Sequence, residues 1–332
     1  MREITIRKEE SGQRLDKFLR RYFPRAGSGF LYKMLRKKNI LLDQKKADGK
    51  EILLEGSRIQ IYFSEETIRT FQELSGNGAV SERESSRGMP ASQEPDIVYR
   101  DGQLLLVNKP AGLLTQKAKS SDFSLTEQIR LYLTSKGLRT EEDRFFYEPG
   151  PANRLDRNTS GLVAVPLTLA AARELSALFH DHTIDKEYLA LVCGAFTGVR
   201  HLKAWYRREE VTRKSVITFT ETEGSKPVEL ICRPLEQNGD HTLLCVTLLT
   251  GKTHQIRSQL AAAGFPIFGD PKYGTSSSVI RRQFLHAWQL TFPVCREPLI
   301  HISGRRFQAP LPDDLLAALQ YTGISEPDAK NL

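Results

Sequence analysis

Residues 153–162 read NRLDRNTSGL, which sets one carboxylate, Asp156, between two guanidiniums, Arg154 and Arg157, ahead of Thr159-Ser160-Gly161. A guanidinium within contact distance favours the ionised form of a carboxylate. An ionised carboxylate held in place serves as a nucleophile or a general base. The apolar run Leu162-Val163-Ala164-Val165 reads as a buried strand, so the loop would present Asp156 at a strand edge, where sites are often built. The same residues could instead form a turn in which Asp156 caps backbone N–H groups and Thr-Ser-Gly shapes the bend. A second stretch, Leu249-Thr250-Gly251-Lys252-Thr253-His254-Gln255-Ile256-Arg257, puts Arg257 about one turn into a helix that Thr253 could cap. From there Arg257 could reach across to a carboxylate, or it could be a surface arginine on an ordinary capped helix.

Other chemistries find less support. His180-Asp181-His182 ends an expected helix, where histidines suit the dipole, and no third metal ligand is obvious beside it. Gly27-Ser28-Gly29 lacks the lysine and the spacing of a phosphate-cradling loop. Cys193, Cys232, Cys245 and Cys295 form no short-spaced pair, which argues against a zinc site and for a reducing compartment, with the cytoplasm as the default. Trp205-Tyr206-Arg207-Arg208 reads either as an aromatic–basic patch for nucleic acid or as an exposed strand end.

The elements that would position Asp156 and Arg257 begin at residue 95. Ile97–Arg100, the Asp101-Gly102 turn and Leu104–Val107 make a hairpin signal. Ser124-x-x-Glu127 is a capping box opening a helix that Gly137 could end. A second helix fits 168–181. Strands are expected at Tyr188–Val192, Val216–Phe219, Val228–Cys232, Leu243–Leu249, Leu285–Phe292 and Leu299–Ile302, with helices from Thr253 to Ala263 and from Pro312 to Leu319. Many strands with a few interspersed helices predict an α+β domain, 95–325, on a mixed or antiparallel sheet.

The chain has 332 residues, enough for two domains, and a net charge of +8. Residues 1–63 hold 16 Lys and Arg against 8 Asp and Glu, and the remainder is balanced, so the whole basic excess sits in the first fifth. That asymmetry favours a polyanion partner. Leu15, Phe18, Leu19 and Tyr22 at helical spacing, a second helix FLYKMLRKK that Ser28 could cap, and short apolar runs at 39–42 and 58–63 make a small two-helix unit with a sheet, 1–63. Residues 64–94, rich in Gly, Ser and Glu after Leu74, read as a flexible linker. No apolar run approaches the roughly 20 residues of a membrane helix, and MREITIRKEE shows no secretory signal.

Taken together, these segments resemble known families. Gly12-Gln13-Arg14-Leu15-Asp16-Lys17-Phe18-Leu19 and Leu54-x-Gly56-x-x-Ile59-x-Ile61 resemble the alpha-L RNA-binding module, of the ribosomal protein S-four type. Asn153–Leu162 resembles the catalytic loop of RluA-type pseudouridine synthases, usually His-Arg-Leu-Asp-x-x-Thr-Ser-Gly. Leu106–Gly112 (LVNKPAG), Asp185–Val192 (DKEYLALV), Thr250–Arg257 (TGKTHQIR), Gly269-Asp270-Pro271-x-Tyr273-Gly274 and Leu285-His286-Ala287 follow in the family's order, so the resemblance spans roughly 95–310.

That resemblance implies an isomerase that detaches uracil from its sugar, turns it and rejoins it through carbon 5, with no metal or organic cofactor. It implies Asp156 as the catalytic aspartate, Tyr188 stacked on the flipped uracil, and Arg257 paired with Asp156. Arg154 would fill the gap that the flipped base leaves in the RNA. Arg14, Lys17, Arg20, Lys33, Arg36, Lys37 and Lys38 would grip RNA, while Arg14-Leu15-Asp16 is helix scaffold with no catalytic part. Gln116, Asn153 and Gln259 stand where the family commonly has His, and Lys252 where it usually has Arg, which suggests a distinct subgroup. Large-subunit ribosomal RNA is the expected substrate of a monomeric, cytoplasmic enzyme. A transfer-RNA synthase and an inactive RNA-binding assembly factor on the same fold are the alternatives; a methyltransferase would need a cofactor loop that the sequence does not show.

Overall fold

The computed structural model describes residues 1–72, 94–140, 143, 147–209, 214–274 and 276–327. The chain divides into two compact units. One comprises 1–94 with 130–149 and 167–170, and the other 95–129, 150–166 and 171–332. The first unit therefore takes in two segments from beyond residue 95.

In the first unit, α1 (Leu15–Tyr22) and α2 (Ser28–Arg36) carry the apolar spacing through to burial, with Leu15, Phe18, Leu19, Leu31 and Leu35 all in one core. Ser28 is the first helical residue of α2 and Gly27 the cap, so the serine does not cap as expected. The sheet runs in the order β1 (Arg2–Thr5), β4 (Arg58–Ile61), β2 (Ile40–Leu42), β3 (Lys45–Lys46), all antiparallel. The stretch read as linker opens on a helix, α3 (Glu65–Gln72). Ile68 of α3 is buried in the same core, and Arg2 hydrogen-bonds both Glu65 and Gln72. A buried isoleucine, the Phe71 ring packed on Phe23 and Phe30, and the tethers to Arg2 are what distinguish these eight residues from a linker. The rest of that stretch, 73–93, lies outside the described residues.

The second unit is built on one large sheet, ordered β10 (Ser215–Thr218), β9 (Arg200–Arg208), β11 (Lys226–Asn238), β12 (His241–Leu248), β8 (Asp185–Cys193), β13 (Leu285–Thr291), β7 (Ser160–Pro166), β6 (Leu104–Lys109), β5 (Ile97–Arg100), with β14 (Arg306–Gln308) beside β13. Every described pairing between these strands is antiparallel except β13 with β7. The architecture is the expected α+β, mixed-sheet one. Trp205–Arg208 ends β9, with Tyr206 buried against Val228 and Ile217.

The helices follow from local chemistry. Glu127 accepts hydrogen bonds from the N–H and hydroxyl of Ser124 at 3.1 and 2.6 Å, the glutamate's half of a capping box at the start of α4 (Leu125–Ser135). Ala171, Leu175 and Leu178 of α5 (Leu169–His180) enter the core beneath the sheet. α6 (Gln255–Ala262) is capped by His254, not Thr253. The Gln255 side chain closes that turn by accepting from Lys252 N and Thr250 Oγ1. The last helix is α7 (Asp313–Thr322). The strand expected at 299–302 is a short 3-10 turn at Ile300–Ile302. Leu299 and Ile302 are both fully buried and Ile300 is 54% exposed, a repeat of three that the LIHI alternation disguised as a repeat of two.

Candidate active site

The loop before β7 is held from several sides. Asn153 lies against β7 like an extra backbone unit: its Nδ2 donates to Leu162 O at 3.2 Å and its Oδ1 accepts from Ala164 N at 2.8 Å. Thr115 Oγ1 donates to Leu155 O and accepts from Leu155 N, at 2.9 and 3.1 Å. Lys109 is completely buried, and its Nζ donates to the carbonyls of Pro110, Leu113 and Arg157 at 2.8, 2.9 and 3.1 Å. Burial pushes its pKa down to about 7, yet three carbonyl acceptors use all three protons of the ammonium form. On the far side Arg282, paired with Asp314, donates to Asn158 O, Gln283 to Thr159 Oγ1, and His286 sits 2.9 Å from Ser160 Oγ. Gly161 adopts φ +115° where β7 meets β13, and a Cβ there would stand 2.2 Å from Ala287 O. Only glycine permits that approach.

This loop sets Asp156 into a cleft of about 240 Å³, whose wall also includes Arg154, Tyr188, Lys252, His254 and Arg257. The four residues given a role in or beside the catalytic loop thus share one cavity. Asp156 Oδ2 accepts from Arg257 Nη1 at 3.2 Å. No hydrogen bond or ion pair joins Arg154 or Arg157 to Asp156 among the described residues, so the flanking guanidiniums do not do what their spacing suggested. Both are exposed and the partner comes from α6. Arg257 is itself fixed by Asp270, fully buried, which accepts from Nε at 2.7 Å and Nη2 at 2.8 Å. Burial works against the guanidinium's charge, but hydrogen bonds to Asp270 and the charges of Asp270 and Asp156 outweigh it and raise the Arg257 pKa. Burial likewise opposes ionisation of Asp270, and Arg257 overcomes it, leaving the Asp270 pKa lowered.

Tyr188, on β8 between β12 and β13, is 8% exposed. Burial, then the charge of Asp156, raise its phenol pKa, so it stays neutral. An oriented carboxylate, a buried aromatic ring and an exposed arginine at the rim can accept one flat base and act on its sugar. Of the three amides at usual histidine positions, Asn153 braces the loop against β7 and Gln116 is exposed. Gln259 is buried and donates to Leu202 O at 2.8 Å.

The expected RNA-gripping residues fall on the first unit. Lys17, Arg20, Lys33, Arg36, Lys37 and Lys38 are exposed and Arg14 is half-buried. Leu15 is buried, as a scaffold residue should be, but Asp16 does more than shape a helix. It takes two hydrogen bonds from Arg14 at 3.1 and 3.0 Å and one from Tyr32 at 2.9 Å, with Arg20 at 3.8 Å. Burial opposes its ionisation; the Tyr32 and Arg14 contacts prevail and lower its pKa.

Residues 103–262 match the family model for RNA pseudouridylate synthase. The ribosomal large subunit pseudouridine synthase C of Escherichia coli O157:H7 is 30% identical over 96% of this chain and 95% of its own. The chain belongs to the RNA pseudouridylate synthase family. The ribosomal large subunit pseudouridine synthase D of Nitrosomonas europaea is 29% identical over 98% of this synthase and 90% of its own length, and that of Zymomonas mobilis 33% identical over 71% and 77%. The solved human RNA pseudouridylate synthase domain containing 4 shares the fold of this synthase, with a TM-score of 0.56 at 20% identity over 70% of this chain and 94% of its own.

Motif reading located Asp156, Tyr188 and Arg257, but it assigned nothing to Asp270, Lys109, His254 or Tyr273. All four lie inside segments that carried the family resemblance. What they touch depends on how loops return to the sheet. Among the described residues no group of His, Cys, Asp and Glu could hold a metal ion, and no helix is long and apolar enough to cross a membrane.

Proposed function

We propose that this enzyme isomerises uridine to pseudouridine in large-subunit ribosomal RNA, with Asp156 as the catalytic carboxylate. The observation that carries the reading is the shared cavity: Asp156 held 3.2 Å from Arg257 Nη1, with Tyr188 in the same wall. The substrate follows the printed function of the relatives that match nearly end to end, and the cytoplasm, where ribosomal RNA is modified, is the corresponding place of action.

A uridine buried in folded RNA must be extruded, at a cost of a few kcal/mol in lost stacking. The Tyr188 ring offsets part of it, since base–aromatic stacking contributes about 1–3 kcal/mol, and Arg154 at the rim is free to enter the vacated position. Asp156 then acts on the nucleotide as nucleophile or as base toward the sugar. The bond from carbon 1 of the ribose to nitrogen 1 breaks, the uracil turns, and a bond to carbon 5 forms. The proton leaves carbon 5 and nitrogen 1 gains one, so atoms balance with no oxidant or reductant. Arg257 keeps the carboxylate aimed throughout. The basic helices α1 and α2 supply sequence-independent attraction to phosphates, and the shape of the RNA supplies selectivity.

Asp156→Asn should abolish pseudouridine formation while RNA affinity changes little, because the amide keeps the shape and loses the negative charge. Pseudouridine mapping of total RNA from cells carrying the wild-type gene, the variant or neither checks both the chemistry and the substrate. Modification that persists in the variant overturns the assignment of Asp156, and a lost site in another RNA class overturns the ribosomal one.

A further inference from the structure

His254 caps α6 with φ 56° and ψ 20°, a left-handed conformation that is uncommon for a residue with a Cβ and often marks a local requirement. The turn brings its imidazole to the catalytic carboxylate: Nε2 lies 3.7 Å from Asp156 Oδ2, and Nδ1 lies 3.0 Å from the Tyr273 hydroxyl. The network assigns the protons. The Tyr273 oxygen accepts the Ser215 backbone N–H at 2.9 Å, which leaves the hydroxyl's own proton for Nδ1. Nδ1 is then the acceptor, and a neutral imidazole carries its proton on Nε2, toward Asp156. The opposite tautomer would turn a nitrogen lone pair against a carboxylate oxygen. Burial favours the neutral ring; of the charges around it Asp156 and Asp270 oppose that, Arg257 and Lys272 support it, and the net effect is a lowered pKa.

We propose that His254 is a positioning residue for the isomerisation: Arg257 Nη1 bonds one oxygen of Asp156, the neutral Nε2–H dipole of His254 faces that same oxygen from 3.7 Å, so that the other carboxylate oxygen is left to the nucleotide, and Tyr273 fixes the tautomer that allows this. Both contacts fall on Oδ2. The Ser215 N–H that polarises Tyr273 belongs to β10, and the Ser215 hydroxyl also donates to Thr253 O at 2.7 Å. The chain of contacts thus begins in the sheet's edge hairpin and ends at the carboxylate.

The inference rests on the pseudouridine synthase reading, and the test separates the two. Tyr273→Phe keeps the ring that lies 5.2 Å from the Arg257 guanidinium and removes only the hydroxyl. His254→Asn keeps a side chain that tolerates left-handed backbone and withdraws Nε2. Single-turnover isomerisation of large-subunit ribosomal RNA transcribed in vitro should slow by about 100-fold in His254→Asn, the scale of a misplacement near 1 Å, with RNA affinity unchanged. Tyr273→Phe should also slow the step, and the double variant should be no slower than the slower single variant, since both act on one proton's position. Wild-type rates in Tyr273→Phe, or losses that multiply in the double variant, overturn the inference. Thermal unfolding reports whether His254→Asn is folded; if it is not, Tyr273→Phe decides alone. A wild-type enzyme that makes no pseudouridine in this RNA defeats the reading beneath it, whereas an active wild type with a silent Tyr273→Phe defeats the inference only.

Discussion

Asp270 does for Arg257 what Arg257 does for Asp156. It is fully buried, has no hydrogen bond to Asp156 among the described residues and still decides where the guanidinium points. Breaking such a pair leaves an uncompensated buried charge, a loss of about 3–5 kcal/mol. Asp270→Asn should therefore lower both kcat and the melting temperature, whereas Asp156→Asn, at a partly exposed position, should lower kcat with the melting temperature nearly unchanged. Unfolding and single-turnover rates on the two variants make the comparison. At this scale the sequence revealed types better than partners. Asp156 and Arg257 stood out because their motifs are distinctive, yet neither guanidinium nearest to Asp156 in sequence bonds it among the described residues. The true partner lies 101 positions away, and nothing in local spacing encodes that distance.

The loop 153–161 behaves as part of the sheet. Asn153 pairs with β7, Lys109 and Thr115 hold its middle, and residues from the strand approach to β13 hold its end. Gly161 is the tightest point, and Gly161→Ala would force β7 and β13 apart. A destabilisation of roughly 3 kcal/mol is expected from overpacking and backbone strain, read as a drop in the denaturant midpoint. Activity should fall by more than the folded fraction does, because the strand shift reaches Asp156 through Ser160. The regular elements were largely visible beforehand, since amphipathic helices and alternating strands carry their own periods. Of those that escaped, β9 alternates, but its first half does so only between half-buried and exposed residues, so no more than its end at 205–208 was weighed as strand; others had no period to show. β1 is four residues at the chain's start, α3 buries a single isoleucine, and the turn at Leu299–Ile302 has too few residues to tell a repeat of three from a repeat of two. The cap of α6 escaped because an imidazole in left-handed backbone defies capping preference.

Across the molecule, charge and chemistry are segregated. The basic excess lies within 1–63, and the cleft that holds Asp156 belongs to the other compact unit. Replacing Lys33, Arg36, Lys37 and Lys38 by Gln should flatten the dependence of RNA affinity on salt, by about one unit of slope for each phosphate no longer neutralised. The single-turnover rate at saturating enzyme should stay near wild type. Filter binding across a salt series checks the first outcome and a chase of pre-formed complex the second. An unchanged slope removes α2 from the RNA interface. The division itself was only partly legible: the charge asymmetry marked the first unit, but its recruitment of 130–149 and 167–170 requires distant segments to meet, which no composition window can register.

The bracing of residues 153–161 has a kinetic corollary. A loop pinned by lysine, threonine, arginine, glutamine and histidine leaves its carboxylate little to rearrange when substrate arrives, so the slow motion is assigned to the nucleic acid. Turnover should then follow how easily the target nucleotide swings out of its helix, and a mismatch placed opposite it should quicken the reaction without any change in the protein.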